Sequence, residues 1–328
     1  MTLTQLRYLV AIADSGLNIT QAAERVHATQ PGLSKQLKLL EDELGFQLFV
    51  RKGRSLDAVA PAGERVLAHA RRVLEEAANI RSLAANQRGE HAGELVLATT
   101  HTQARFVLPA AIARIKLAFP RVTVHLQAAA EGEVMEQIAH GKADLAIVST
   151  SGSEPDGGLA VPLFRWRRKV LVPLTHPLAA LDRAPDLVEL AALPLVSYES
   201  SVRPDSSLRR AFADAGLQPQ LAMTARDADL IKTYVRAGLG VGVLAEMALG
   251  VGADEDLHAL PAPPSLPECV TWAVIPRARV LREYALELLH AVAPQIDPRD
   301  LRRVVEGNQP ADWPRAPSWV ELSQPITV

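Results

Sequence analysis

A chain of 328 residues, 48% of them apolar, can bury a sizeable core and divide into two or three domains. Its 35 Lys and Arg against 37 Asp and Glu give a net charge of −2, which excludes a globally basic nucleic-acid binder and requires any basic surface to be local. Cys269 is the only cysteine, which excludes an intramolecular disulfide framework and a CxxC metal site. No stretch is apolar over the length of a membrane span, and no secretory pattern opens the chain. A cytoplasmic protein with no membrane partner is expected.

Residues 3–16, LTQLRYLVAIADSG, place Leu3, Leu6, Leu9, Val10 and Ala13 at helical spacing, and Gly16 ends the run. A second short helix, ITQAAERVHA, has Asn18 as its N-cap and offers Ala22, Ala23 and Val26 to the same core. A tight turn leads to TQPGLSKQLKLLEDELG, where Thr29 can cap and Pro31 sits in the first turn, where its missing N–H costs little. Leu33, Leu37, Leu40 and Leu44 line one face of this third helix, and Pro31, Ser34, Lys35 and Lys38 share the opposite one. These are the parts of a helix-turn-helix, whose second element enters the major groove. The following FQLFVRKGRSLDAVAP reads as a hairpin wing that brings Arg51, Lys52 and Arg54 near phosphates. A solvated three-helix bundle with a charged turn is the plainer alternative.

From Pro61 to about Ala85 a long helix carries Val66, Ala70, Val73, Ala77, Ile80 and Ala84 in alternating steps of four and three, widened by Leu67 and Leu74. Such a seam pairs with a second copy, which would hold two DNA-reading heads at a fixed distance, or else packs on its own domain. The polar, Gly-containing ANQRGEHAG has the composition of a hinge and places a domain boundary near residue 90.

Beyond it the pattern alternates strand and helix: GELVLATT, helix 104–119, VTVHLQAAA, helix 131–141 and DLAIVST, a βαβαβ series expected to form a parallel sheet. Thr99, Thr100, His101, Thr102 and Gln103 crowd the point where the first strand gives way to a helix. This cluster suits either an elaborate N-cap or an anion site on unpaired N–H groups. Ligands of such sheets bind beyond the carboxyl ends of strands, where Ser149 and Thr150 also lie after the third strand. A second α/β set follows: KVLVPLTHPLA, PLVSYESS, helix 207–216, LAMTA, helix 227–238 and GVGVL. ECVTWAVIP (268–276) and the next helix return to the first set. Two lobes joined by crossings near Leu163 and Pro267 would form a hinged cleft of the periplasmic-binding-protein type. GLGVG at 238–242 is no dinucleotide fingerprint, because it follows a helix and precedes a strand.

NITQAAERVHATQPGLSKQLKLLEDELGFQLFVRKGRS and APAGERVL together resemble the N-terminal signature of the LysR-type transcriptional regulators. The resemblance implies a winged helix-turn-helix (1–60), a linker and dimerisation helix with hinge (61–89), and a two-lobed α/β effector-binding domain (90–296). The lobes would span about 90–163 with 268–296, and 164–267. Its implied partners are double-stranded promoter DNA, a homodimer or homotetramer formed through residues 61–85 and the effector domain, and RNA polymerase. The implied DNA-contacting set is Thr29, Gln30, Pro31, Ser34, Lys35 and Lys38, with Arg51, Lys52 and Arg54 of the wing. Ala60 departs from the threonine common before PAG and implies a weaker cap. ATTHTQARF, PRVTVHLQ, ADLAI, HPLAA and DADLIKTYVRAGLGVGV further resemble the CysB-like branch, regulators of sulfur acquisition. That branch implies no cofactor but a small effector, an N-acetylserine or O-acetylserine coinducer with sulfate or thiosulfate, at Thr100, Thr102, Gln103, Ser149 and Trp166. Hydroxyls and amides would there form a neutral cradle with no permanent buried cation. ESSVRPDS departs from the branch's TFGFTGRS and aligns Arg203 with an expected threonine ligand. Arg203 is therefore either an anion ligand or a surface partner of Glu199 or Asp205, and sulfonate-responsive control is a second reading.

An enzyme is not expected. No GxSxG elbow or carboxylate orienter accompanies His101, and His101, His125 and His140 lack metal-ligand spacing. Residues 297–328, with Trp313, Pro314, Pro317 and Trp319, read as a partly ordered extension.

Overall fold

The computed structural model describes residues 1–53, 55–250, 254–277 and 279–323, so Arg54 lies outside the described residues. The chain forms two compact units, one of Met1–Gly89 with Arg279 and Val280, the other of Glu90–Arg277 and the residues from Leu281 onward. No described helix is long and apolar enough to cross a membrane.

The first unit opens with α1 (Leu3–Asp14), α2 (Ile19–Arg25) and α3 (Gln30–Leu44). Thr2, Asn18 and Thr29 cap them, the last two accepting from the Gln21 and Gly32 amides at 3.1 and 3.3 Å. Gly45, in the left-handed region, ends α3. Leu6, Leu9, Ile12, Ala22, Ala23, Leu33, Leu37 and Leu40 form the core, whereas Leu3 is exposed. The wing is an antiparallel hairpin of β1 (Phe49–Lys52) and β2 (Ser55–Val59). Then α4 runs over Pro61–Gln87, and Ala60 at its N-cap makes no side-chain capping bond. Leu67 and Ala70 are buried in the head core, with Val66 and Leu74 packed against it. Farther along, Val73, Ile80 and Leu83 are 42%, 67% and 53% exposed. The first turns of the seam thus pack on their own domain, and the later turns leave an apolar stripe in solvent.

The second unit holds two five-stranded sheets. Its elements in order are β3 (Ala92–Thr99), α5 (His101–Phe106), α6 (Leu108–Ala118), β4 (Arg121–Ala128), α7 (Glu131–Ala139), β5 (Leu145–Thr150), β6 (Leu159–Trp166), β7 (Arg168–Pro173), α8 (Leu187–Ala191), β8 (Pro194–Tyr198), α9 (Ser207–Asp214), β9 (Gln220–Ala225), α10 (Ala228–Arg236), β10 (Val241–Ala245), β11 (Leu257–Pro261), β12 (Cys269–Ile275), α11 (Glu283–Val292), α12 (Pro298–Val305) and α13 (Trp319–Ser323). Lobe one has the order β4-β3-β5-β12-β6 and lobe two the order β11-β7-β10-β8-β9.

The βαβαβ strands β3, β4 and β5 pair in parallel as expected, and the sheets become mixed where β12 runs antiparallel to β5 and β6, and β7 antiparallel to β10 and β11. Two expectations change. The helix expected at 104–119 begins at His101 and breaks at Val107, since Pro109 has no N–H to continue the ladder. Leu163 lies inside β6, so the chain leaves the first sheet only after Trp166. Gly240, at φ +159°, packs its backbone against the Pro194 carbonyl, which explains a glycine there without any nucleotide.

Candidate functional site

On the first unit, Pro31, Lys35 and Lys38 lie exposed along one face of α3, with Ser34 half-buried between them. Gln30 Nε2 donates to Ser34 Oγ at 3.3 Å, holding two polar groups side by side at the start of the helix. Thr29 uses its hydroxyl as the cap. Lys52 is exposed in the wing. Arg51 donates to Glu41 Oε2 at 3.0 Å, and the buried Glu41 carboxylate also accepts the Leu48 amide at 2.9 Å. Arg51 therefore fastens the wing to the recognition helix, a structural task that spacing alone did not reveal.

In the second unit, the polar cluster after β3 divides. Thr99 is buried and donates to the Ile147 carbonyl at 2.8 Å, so it serves the sheet. Thr100 stands at the N-cap of α5 but makes no side-chain capping bond. The capping explanation therefore fails for Thr100, whose hydroxyl lines a cavity of about 450 Å³ between the lobes. Thr102, Gln103, Ser149, Trp166 and Arg203 line the same cavity. All six sequence-predicted cleft residues thus meet at one place.

Their geometry assigns different tasks. Ser149 Oγ accepts from Gln103 Nε2 at 2.9 Å and from Trp166 Nε1 at 3.2 Å. With both lone pairs taken, its own proton points to Thr271 Oγ1, 2.9 Å away. Ser149 accordingly positions Gln103 and Trp166 and has no donor left in this arrangement. The other atom of the Gln103 carboxamide is buried without a partner among the described residues. Thr102 Oγ1 reaches across to the Tyr198 hydroxyl at 3.4 Å, and that hydroxyl also accepts the Ala245 amide at 3.2 Å. Burial pushes the Tyr198 phenol above its ordinary pKa, so it stays neutral.

Arg203 pairs with neither Glu199 nor, at hydrogen-bond distance, Asp205. Its Nη2 donates at 3.1 Å to Glu131, the first residue of α7, while Asp205 is 3.9 Å away and Glu199 is taken by Arg226 at 3.2 Å. The pair joins the lobes across the mouth of the cleft. Nor is the cradle neutral: the half-buried Arg168, at the start of β7, lines the cavity too. Sequence reasoning passed over Arg168, Tyr198, Thr271 and Glu131. Thr271 could be found only by knowing that β12 pairs antiparallel to β5 with Thr271 opposite Ser149. The Thr100 and Thr102 hydroxyls and the Arg168 guanidinium, around one cavity with Trp166 as an apolar wall, suit a small polar anion.

Comparisons with known proteins identify the two units that carry these residues. The family model "Bacterial regulatory helix-turn-helix protein, lysR family" matches residues 3–64, and "LysR substrate binding domain" matches residues 88–296. The transcriptional regulator CysB of Haemophilus influenzae is 37% identical over 93% of this chain and 93% of its own. The regulator SsuR of Burkholderia cenocepacia is 34% identical over 92% of this chain and 97% of its own. A crystal structure of the cofactor-binding domain of the Cbl transcriptional regulator superposes with a TM-score of 0.59 at 33% identity, covering 65% of this chain and 93% of that one. A head with an exposed basic recognition face, a two-lobed cleft and relatives of this kind along nine-tenths of the sequence lead to one conclusion: the chain belongs to the LysR family, and it is a DNA-binding transcriptional regulator of the CysB, Cbl and SsuR type, not an enzyme.

Proposed function

We propose that the chain is a cytoplasmic activator of sulfur-assimilation and cysteine-biosynthesis genes. It responds to N-acetylserine or O-acetylserine, with sulfate or thiosulfate as modulating anions. The observation that carries this reading is the convergence of Thr100, Thr102, Gln103, Ser149 and Trp166 on one cavity between two lobes. A ligand there contacts both lobes and favours the arrangement it binds more tightly, and only that difference in affinity can be passed on. In a homodimer or homotetramer built through the exposed stripe of α4, the shift re-spaces two heads on an operator and alters the contact with RNA polymerase. Thr29, Gln30, Pro31, Ser34, Lys35 and Lys38, with Lys52 and Arg54 of the wing, form the DNA side.

Arg203, standing where the branch carries a threonine, favours a second reading in which the effector is an alkyl sulfonate. Calorimetric titration of the full chain with N-acetylserine, O-acetylserine, sulfate, thiosulfate and an alkyl sulfonate separates the two. The expected result is tight binding of an acetylserine that Thr102→Ala weakens at least tenfold. Lys35→Ala weakens binding to a promoter fragment and lowers its salt dependence while leaving the acetylserine affinity unchanged. Preference for the sulfonate moves the regulon to the second reading, and an unaltered response in Thr102→Ala removes the site.

A further inference from the structure

The cleft contains a cation that the hydroxyl cradle does not explain. Arg168 opens β7, on the lobe-two side of the crossing, and its side chain is half-buried. Its Nη2 donates to Ser207 Oγ at 2.7 Å and its Nη1 to the Pro267 carbonyl at 3.2 Å, both neutral acceptors. No carboxylate stands within ion-pair distance of it among the described residues, whereas Arg203 and Arg226 at the rim each meet a glutamate. The guanidinium carbon lies 5.8 Å from the centre of the Trp166 ring, so the charge borders the cradle that Trp166 helps to form. Its field also reaches Tyr198 and Cys269, the buried groups beside it, although burial outweighs it at both.

A half-buried cation without a counter-charge is costly unless something brings one. A guanidinium has five N–H donors in a planar fork; Ser207 and Pro267 take two of them, and the Cys269 thiol is a further, weak partner. That fork can meet a carboxylate with two parallel N–H···O bonds. The cavity, about 450 Å³, is also much larger than a single inorganic anion and lies in the range that small organic ligands fill.

We propose that Arg168 is the carboxylate anchor of the effector site, so that the cleft takes a two-headed ligand. The carboxylate lies on lobe two at Arg168, and a neutral polar end lies on lobe one at Thr100, Thr102 and Gln103. The inference rests on the reading of the cleft as an effector site and names the chemistry that site selects. A ligand with both ends ties the lobes together. An inorganic anion engages only one side and cannot replace it.

The test uses the full-length chain, titrated calorimetrically with N-acetylserine, with its uncharged methyl ester and with sulfate. The wild type is expected to prefer the acid to the ester by at least tenfold. Arg168→Gln weakens the acid at least tenfold while holding the ester within twofold, and Arg168→Lys keeps part of the preference. Thr102→Ala weakens acid and ester alike. Melting temperature and promoter binding, both unchanged, establish that the Arg168 variants fold. Acid binding within twofold of wild type in Arg168→Gln, or a wild type that binds acid and ester equally, overturns the proposal. If binding is lost in Thr102→Ala but intact in Arg168→Gln, this inference falls and the effector-site reading stands. If the wild type binds neither acid nor ester, both fall.

Discussion

Gly63, in the first turn of α4, lies against the Leu48 backbone, where a Cβ would collide with the carbonyl oxygen and press on Val59. The same carbonyl accepts the Ala60 amide at 2.9 Å. The backbone thus supplies at this junction part of the fastening that a side-chain cap would otherwise give. Gly63→Ala is expected to destabilise the head by about 1–3 kcal/mol, the usual cost of forcing a methyl into a filled space. Thermal melting of the full chain checks this, with the early transition falling and the effector domain's transition unmoved. A gain in stability, as expected of Gly→Ala in an open helix, would show that the contact is not tight. Residues of this kind divide sharply in how well they can be read from sequence. Thr100, Thr102, Gln103 and Ser149 stand at or just beyond the carboxyl ends of β3 and β5, where local pattern finds them, whereas Trp166, at the end of β6, is reached only through the family resemblance. Thr271 and Tyr198 reach the cleft through pairings 122 and 96 residues long, which no local pattern encodes.

Helix α4 carries the element-scale argument. Its heptad pattern was legible over three heptads, but the pattern does not say what each turn packs against. Ala70 is buried in the head, while Ile80 is two-thirds exposed on the same stripe. An exposed row of Val73, Ile80 and Leu83 along one helix marks a surface that a second copy can cover. Ile80→Glu should therefore convert the assembly to a smaller species in sedimentation at micromolar concentration. The monomer's own stability should change by no more than about 0.5 kcal/mol, since the side chain makes little contact within its unit. An unchanged sedimentation coefficient would remove α4 from the interface. Strand β6 escapes local pattern for a related reason: its eight residues, Leu159–Trp166, have no alternation because all but Leu159 and Arg165 are buried. The return of β12 to the first sheet is legible, but its antiparallel sense is not.

At the scale of the molecule, the effector domain does not end where its two-lobed pattern ends. Beyond α11, α12 is fastened by a two-pronged bond from Arg302 to Glu283, both contacts 2.7 Å, and buries Leu301 and Val304. The chain then returns along β6, an edge strand of lobe one. Trp313 Nε1 donates to the Ala160 carbonyl at 2.9 Å, the Arg165 amide donates to Pro317 O at 2.7 Å, and Arg165 Nε donates to Ala316 O at 2.8 Å. Trp319 lies over Phe164, with ring centres 5.2 Å apart. This extension therefore covers backbone groups that an edge strand would otherwise offer to other chains, and Pro314 and Pro317 have no N–H with which to extend the pairing. Removing residues 311–328 exposes the outer edge of β6 and takes away the burial that Trp313 and Trp319 gain against it, a loss on the order of 3 kcal/mol at 25 cal/mol per Å². For a domain of this size that corresponds to a fall of about 6–12 °C in melting temperature. The truncated chain should also aggregate in proportion to its concentration, because the free edge faces solvent next to β12 and its apolar neighbours. Trp313→Ala and Trp319→Ala divide the loss between the hydrogen-bonded and the stacked contact. Promoter binding by the head is expected to persist at temperatures below the lowered transition. If the truncated chain melts where the full chain does and stays monodisperse, the tail is an appendage and β6 is protected by its own twist.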